Sequence, residues 1–307
     1  MASAALAATL ILFLSFAASS SSSPSLPSLA IDRSPLREHV EGAAKRAHFQ
    51  AAARARALIG VVPPSVEGTE RGLDVLSYDI SFDVDPAIRF LSGTTVIRVA
   101  GFAPQTTSLA LDLDDAFAVS SVTRDGQGVT ATHTGGRLVI PFAPALGATD
   151  RATISVAYRG IPPSAAALDF RHYPSGWAAT SVAEPFLART FWPCVDDPKD
   201  KAVATVHATV PPGYVMASAG TVSVADAGGG RSTYTWKLPQ TISTYLVSLN
   251  VANYVTVEDS YRAMDGRIMP IRSYLLPDNA AANAPRLSEI KNHITVLASL
   301  FGEYPFV

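Results

Sequence analysis

The sequence predicts a mainly β protein, with an antiparallel β-sandwich or saddle over residues 70–262 and a short strand–helix segment after it. Apolar and polar residues alternate in many short runs, and strict alternation buries one face of a strand while the other face stays wet. Glycine and proline clusters separate these runs, which is typical of antiparallel sheets rather than of alternating helices and strands. Near the end of the chain the apolar period becomes helical.

The strand runs follow one another along the chain. In the run 78–84 every second residue is apolar and the residues between them are polar. In the run 109–114 three leucines alternate with Ala110, Asp112 and Asp114, so these three are expected on the wet face. Further alternating runs lie at 96–99, 154–158, 232–236 and 245–251, and the turn signals are Asp125-Gly126, Gly135-Gly136, Pro162-Pro163, Pro211-Pro212-Gly213 and Gly228-Gly229-Gly230.

An amphipathic helix is predicted close to the end of the chain, because apolar residues recur there at spacings of three and four. Pro285 suits the first turn of this helix and Gly302 suits its end. A strand is expected before it, from Met269 to Leu276. The predicted apolar face consists of Leu287, Ile290, Ile294, Leu297 and Phe301.

Composition and charge exclude some classes of protein. The 307 residues carry a formal net charge of -2, so there is no electrostatic reason to expect a nucleic acid partner. With 48% hydrophobic and 16% charged residues the chain is globular rather than disordered. The single cysteine, Cys194, cannot form an internal disulfide.

The first residues predict export. The uncharged apolar run Ala7 to Ala18 is too short to span a bilayer, which takes about 20 residues, and small residues follow it. A signal peptide over residues 1–23 and a secreted or periplasmic protein are therefore expected, although a transit peptide or a disordered leader would have a similar composition. Residues 24–69 read as a Ser/Pro linker and a spacer helix, and no later segment predicts stable membrane insertion.

The segment Ala183 to Pro198, which reads AEPFLARTFWPCVDDP, carries a resemblance to a known family. It resembles the motif E-P-x-x-A-R-x-x-F-P-C-x-D-x-P of the aminopeptidase N family, which are gluzincin zinc metallopeptidases. The similarity extends from about Asp74 to Val307. It implies that residues 70–262 are the amino-terminal β domain of such an enzyme, and that residues 263–307 begin a thermolysin-like catalytic domain.

The zinc motif of that family does not occur in this sequence. The family has G-x-M-E-N and H-E-x-x-H, in which two histidines one helical turn apart bind zinc and the glutamate is the general base. No two of the six histidines here are four residues apart. We therefore expect a chain that stops before the zinc motif, binds no cofactor and is inactive alone, whereas the intact enzyme would use zinc to remove amino-terminal residues from peptides.

One candidate substrate-binding residue follows from the resemblance. Glu184 matches a family glutamate that binds the free amino group of the substrate, whereas Val182 replaces the glutamine of the family motif Q-x-E. Without the resemblance, Glu184 would be interpreted as a solvated loop carboxylate. Within the same segment, Arg189 is expected to form a structural ion pair with Asp196 or Asp197, and no residue of this chain is expected to be catalytic or to bind a metal.

Two other functions remain open from the sequence. The chain could be a stand-alone secreted binding or scaffolding module that kept the β fold, or one half of a split aminopeptidase completed by a separate catalytic chain. The helix near residues 287–301 separates these alternatives, because a self-sufficient module has no reason to expose an apolar helix face. This feature favours a missing or separate catalytic domain as a partner.

Overall fold

The computed structural model describes residues 72–163 and 166–304. The predicted signal peptide, the linker and the spacer helix lie outside these residues. The described part is mainly β, and its antiparallel sheets confirm the predicted fold class.

The largest sheet has eight strands in the order β13-β14-β11-β1-β2-β8-β4-β5. In this sheet β1 and β11 run parallel and every other neighbouring pair is antiparallel. A parallel pair requires a long connection, and most of the other strands lie between β1 and β11 in the chain. The strands are β1 (Leu73–Asp85), β2 (Phe90–Gly101), β4 (Phe117–Arg124), β5 (Gln127–Gly128), β8 (Arg151–Gly160), β11 (Lys201–Val210), β13 (Thr221–Gly228) and β14 (Arg231–Ser243).

Three smaller sheets complete the β structure of the described residues. Their strand orders are β3-β7-β6, β12-β15-β10-β9 and β16-β17. Their strands are β3 (Thr106–Asp112), β6 (Thr132–Thr134), β7 (Arg137–Leu146), β9 (Leu168–Tyr173), β10 (Gly176–Ser181), β12 (Val215–Ala217), β15 (Asn250–Ala252), β16 (Val255–Arg262) and β17 (Ile268–Leu275).

The alternating runs place their apolar residues in one continuous core. Tyr78, Ile80 and the other apolar residues of the run 78–84 are at most 3% exposed, whereas Asp79 is exposed. Trp192 is fully buried, and the ring of Tyr78 meets it edge-on with centroids 5.0 Å apart. Because large aromatic residues bury the most apolar area, this pair joins β1 to the segment that carries the family motif.

One predicted strand is wrong over most of its length. The run 245–251 was expected to be extended throughout, but residues 244–246 form a 3-10 turn and only Asn250–Ala252 is strand. The cause lies in the polar contacts of the backbone. The Leu249 amide donates to the side-chain hydroxyl of Ser181 in β10, and the Val247 amide donates to the Thr244 carbonyl three residues before it.

The last described residues form a strand pair and helices. After β16 and β17 come α1 (Pro277–Asn283), a 3-10 helix (Ala284–Glu289) and α2 (Ile290–Phe301). A second hydrophobic cluster, separate from the main core, holds this part together and comprises Tyr261, Ala263, Met269, Ile271, Ile290 and Ile294. The predicted division of the chain near residue 262 stays a prediction.

The predicted terminal helix is confirmed, although it starts as a 3-10 helix before Ile290. Its face is only partly covered, since Ile290 and Ile294 are buried while Leu297 and Phe301 are 52% and 54% exposed. Gly302 follows the helix with a φ of 88°, a conformation that glycine adopts without a steric cost. No helix in the described ranges is long and apolar enough to cross a bilayer.

Gly220, directly before β13, has a backbone conformation and surroundings that leave no room for a side chain. This residue has a φ of 104°, and a β-carbon built there would lie 2.2 Å from the carbonyl oxygen of Lys237. Gly220→Ala should therefore lower the free energy of unfolding by about 2–4 kcal/mol, the combined cost of a positive φ and of overpacking. Urea denaturation of the purified protein measures this change.

Gly213→Ala is the matched control, because Gly213 also has a positive φ but open space around the position of a β-carbon. We expect it to cost only the backbone term, about 1 kcal/mol. Equal destabilisation by the two substitutions would contradict the close approach of Gly220 to Lys237.

Candidate functional site

The candidate residue Glu184 lies in the connection between β10 and β11. We call residues 182–187 the Glu184 loop. Glu184 is exposed and Val182 is 70% exposed, whereas Ala183 between them is only 4% exposed. The loop therefore presents Val182 and Glu184 on its solvent side and is fixed to the core by Ala183.

Hydrogen bonds from one residue hold the two ends of the Glu184 loop. The Ala167 carbonyl accepts from the Val182 amide at 2.9 Å, and the Ala167 amide donates to the Thr190 hydroxyl oxygen at 2.8 Å. The Thr190 hydroxyl in turn donates to the Leu187 carbonyl at 2.6 Å. Inside the loop, the Leu187 amide donates to the Ala183 carbonyl at 2.9 Å. The backbone that carries Glu184 is thus held in a defined position.

The strand that leads into the loop is anchored just before it. The Ser181 amide donates to the side-chain oxygen of Asn250 at 3.1 Å, and the Leu249 amide donates to the Ser181 hydroxyl at 2.7 Å. Asn250 is fully buried and its side-chain amide also donates to the Ala217 carbonyl at 3.3 Å. Buried polar groups of this kind stabilise a fold only when they are paired, as these are.

On the other side of the loop, the Arg189 guanidinium lies between two buried carboxylates. Its Nε is 3.0 Å from Oδ2 of Asp196, and its Nη1 is 3.6 Å from Oδ1 of Asp112. Asp112 also pairs with Arg137 at 2.6 Å. Both carboxylates are fully buried and the Arg189 side chain is only 14% exposed. We call these four residues the ionic cluster.

Backbone hydrogen bonds connect the same residues. The Asp112 amide donates to the Cys194 carbonyl at 2.7 Å, and the Cys194 amide donates back to the Asp112 carbonyl at 3.1 Å. The Asp196 amide donates to Oδ2 of Asp112 at 3.0 Å, and the Asp114 amide donates to the Arg189 carbonyl at 3.0 Å. The segment that follows the Glu184 loop is therefore docked on the end of β3.

The structure confirms the predicted ion pair of Arg189 and corrects the expectation for Asp112. The ion pair of Arg189 with Asp196 is confirmed, and Cys194 in the same segment is buried. The expectation that Asp112 lies on a wet face is wrong, because the segment 189–196 covers that end of β3. The period-two pattern gave no sign of this cover, since it describes only the strand itself.

The ionic cluster has a structural rather than a catalytic role, because its carboxylates are buried. Burial disfavours the charged carboxylate and raises the pKa of Asp196 to about 6, even though Arg189 beside it acts in the opposite direction. A carboxyl group with a raised pKa is sometimes an acid–base catalyst, but Asp196 is fully buried and cannot reach a substrate. Asp197 caps a turn instead, accepting from the Lys199 amide at 2.9 Å.

No metal centre can be assembled from the part of the chain that the structure describes. In residues 72–163 and 166–304, no group of three or more His, Cys, Asp and Glu side chains could hold a metal ion. These described residues therefore do not fit the zinc site of the family.

Comparison with known proteins gives the family. Residues 75–246 match the Peptidase M1 N-terminal domain, and the chain belongs to the M1 peptidase family. A search of the curated proteins found no match.

Solved structures give the same result. The M1 zinc metallopeptidase from Deinococcus radiodurans is similar with a TM-score of 0.64 and 25% sequence identity, over 77% of this chain and 55% of that one. A mutant of the enzyme bound to a Tyr-Ser-Ala substrate matches with the same TM-score, identity and coverage. The chain thus spans about half the length of these relatives.

The ionic cluster leads to a prediction about stability. Arg189→Met removes the guanidinium and leaves the buried carboxylate of Asp196 without its cation, whereas Asp112 keeps its pairing with Arg137. Breaking a buried pair in this way costs about 3–5 kcal/mol, because an uncompensated charge remains. Thermal and urea unfolding of the variant should show a loss in that range.

Arg171→Met is the matched control, because Arg171 pairs with Asp169 on the surface and is 68% exposed. An exposed ion pair contributes about 0–1 kcal/mol, so this variant should unfold almost like the parent. A loss below about 1 kcal/mol for Arg189→Met would contradict the structural role of the cluster.

Proposed function

We propose that this chain is the substrate-entrance domain of a secreted zinc aminopeptidase, in which Glu184 binds the free amino group of a peptide. The observation that carries the proposal is the position of Glu184, which is exposed on a loop whose backbone is tied to the core at both ends. A carboxylate held in this way can contribute to recognition with little loss of conformational freedom.

The chemistry of an aminopeptidase explains the need for such a carboxylate. A free amino terminus has a reference pKa of about 8, so most of it is a cation at neutral pH. A carboxylate that accepts a charge-assisted hydrogen bond from this cation binds it more strongly than a neutral acceptor would. Fixing the amine also fixes which carbonyl of the peptide reaches the catalytic centre.

Peptide cleavage would require a zinc-binding unit in addition to the residues described. Such a unit could belong to a longer form of the chain or to a separate chain, and without it we expect no hydrolysis. Zinc held by such a unit would supply an activated water molecule for attack on the peptide carbonyl. The similarity to zinc metallopeptidases, one of them bound to a Tyr-Ser-Ala substrate, supports this reading.

The exposed face of α2 favours a catalytic partner over a stand-alone module. Val296, Leu297 and Phe301 are each more than half exposed on this helix. Exposed apolar side chains grouped on one helix are typical of a surface that another protein unit covers. Secretion rests on the apolar leader of the sequence, and export of the chain remains part of the proposal.

The proposal can be tested by binding, without any need for turnover. Nuclear magnetic resonance titration with a tripeptide such as Tyr-Ser-Ala should shift the backbone signals of residues 182–187 at millimolar concentration. The amino-acetylated peptide should leave them unchanged, because it has no cationic amine. Glu184→Gln should weaken the binding of the free peptide at least tenfold by removing the charge that the amine recognises.

Glu289→Gln serves as the control, since Glu289 is an exposed acid in the 3-10 helix before α2 and should not affect binding. Equal binding of the free and the acetylated peptides, or full binding by Glu184→Gln, would overturn the role given to Glu184.

A further inference from the structure

We propose that Asp278 is a positioning residue for Glu184, acting through the whole length of β10. Asp278 lies in the first turn of α1, whereas Glu184 follows the far end of β10. The inference rests on the proposed function, because it concerns how the carboxylate that receives the amine is held in place.

The first step is a contact between α1 and the turn that precedes β10. The Ser175 amide donates to Oδ1 of Asp278 at 3.1 Å, and the Ser175 hydroxyl donates to Oδ2 of the same carboxylate. The two residues are 103 positions apart in sequence. Hydrogen bonds to an ionised carboxylate are stronger than those between neutral groups. Asp278 thus fixes the turn from outside the sheet.

The second step is that β10 is held at both of its ends by asparagine side chains. Asn253 donates from its side-chain amide to the Ser175 carbonyl at 2.6 Å, at the end near Asp278. Asn250 accepts from the Ser181 amide at 3.1 Å, at the end near the Glu184 loop. Both asparagines belong to β15 or follow it directly, so the two ends of β10 are tied to the same short element.

The third step concerns what would happen without the contact to Asp278. On one side β10 pairs with β15 only around Ala179, and on the other side it pairs with β9 along its length. In the described residues β9 is the edge strand of its sheet, so the β9–β10 hairpin has no neighbouring strand beyond β9. Local opening of such a unit is cooperative, so loosening its turn lowers the cost of opening along the strand.

The contact therefore links the strand–helix part of the chain to the Glu184 loop. The six residues of β10 span about 20 Å, at roughly 3.3 Å a residue. Asp278 comes almost directly after β17, so the position of the recognition carboxylate depends on the part of the chain that contains α1. Any displacement of α1 would reach Glu184 through β10.

Amide hydrogen exchange of the full chain tests the proposal directly, independently of peptide binding. In Asp278→Ala, the amides of Val182 and Leu187 should exchange at least fivefold faster, while the Val206 amide in the eight-stranded sheet should keep its rate. Asp278→Asn retains an acceptor oxygen for Ser175 and should restore at least half of the protection. Ser175→Ala, which removes only the hydroxyl, should give an intermediate rate.

Asp265→Ala is the matched control. Asp265 is an exposed acid whose side chain accepts hydrogen bonds from Arg267 in the turn between β16 and β17, so exchange in the Glu184 loop should not change. Unchanged rates at Val182 and Leu187 in Asp278→Ala would overturn the proposal, as would an equal rise at Val206, which would indicate general destabilisation.

The peptide titration completes the test. If Asp278 positions Glu184, Asp278→Ala should weaken binding of free Tyr-Ser-Ala at least threefold, and Asp278→Asn should restore it. If the Val182 and Leu187 amides exchange faster in Asp278→Ala but the parent protein binds no peptide, the proposed function is contradicted, whereas the connection from Asp278 to the Glu184 loop is supported. Faster exchange with unchanged peptide affinity would contradict the positioning role.

Discussion

The contact on which much of the described structure depends is the Arg189 guanidinium between the buried carboxylates of Asp112 and Asp196. Charges removed from water are costly unless they are paired, so these groups must stay together for the fold to be stable. Since Asp112 ends β3 and Arg189 follows the Glu184 loop, the pairing fixes how the family motif lies against the β core. The geometry of an exposed loop is thereby determined by buried electrostatics.

Much of this fold could be predicted from the sequence, because the period of the apolar residues distinguishes a strand from a helix and indicates which face is buried. The run 78–84 and the terminal helix are examples. The motif also limited the expected partner of Arg189 to Asp196 or Asp197, and the structure shows Asp196, seven residues away. Asp112 could not be predicted as a buried partner, because 84 residues separate it from Asp196 and its own strand shows simple alternation. The prediction for the run 245–251 was wrong because the Leu249 amide donates to the Ser181 hydroxyl and the Val247 amide to the Thr244 carbonyl.

The role of Glu184 was predicted from the family motif, whereas the fold was predicted from the period of the apolar residues. The family match of Glu184 came from the motif, and the structure adds an exposed position and a fixed backbone, but amine binding stays a prediction. The loop lies between two anchored regions, Asn250 and Ser181 on one side and the ionic cluster on the other. In the proposed function, recognition of an amino terminus by the β domain would therefore depend on buried contacts that do not touch the peptide.

A double-mutant cycle between Arg189→Met and Asp196→Asn tests the central contact most directly. Removing the guanidinium alone leaves a buried carboxylate without its cation, whereas neutralising Asp196 as well relieves part of that penalty. The double variant should therefore be less destabilised than the sum of the single variants, with a coupling free energy of at least about 1 kcal/mol in urea unfolding. Strict additivity, with coupling near zero, would show that the two groups do not depend on each other and would contradict this account.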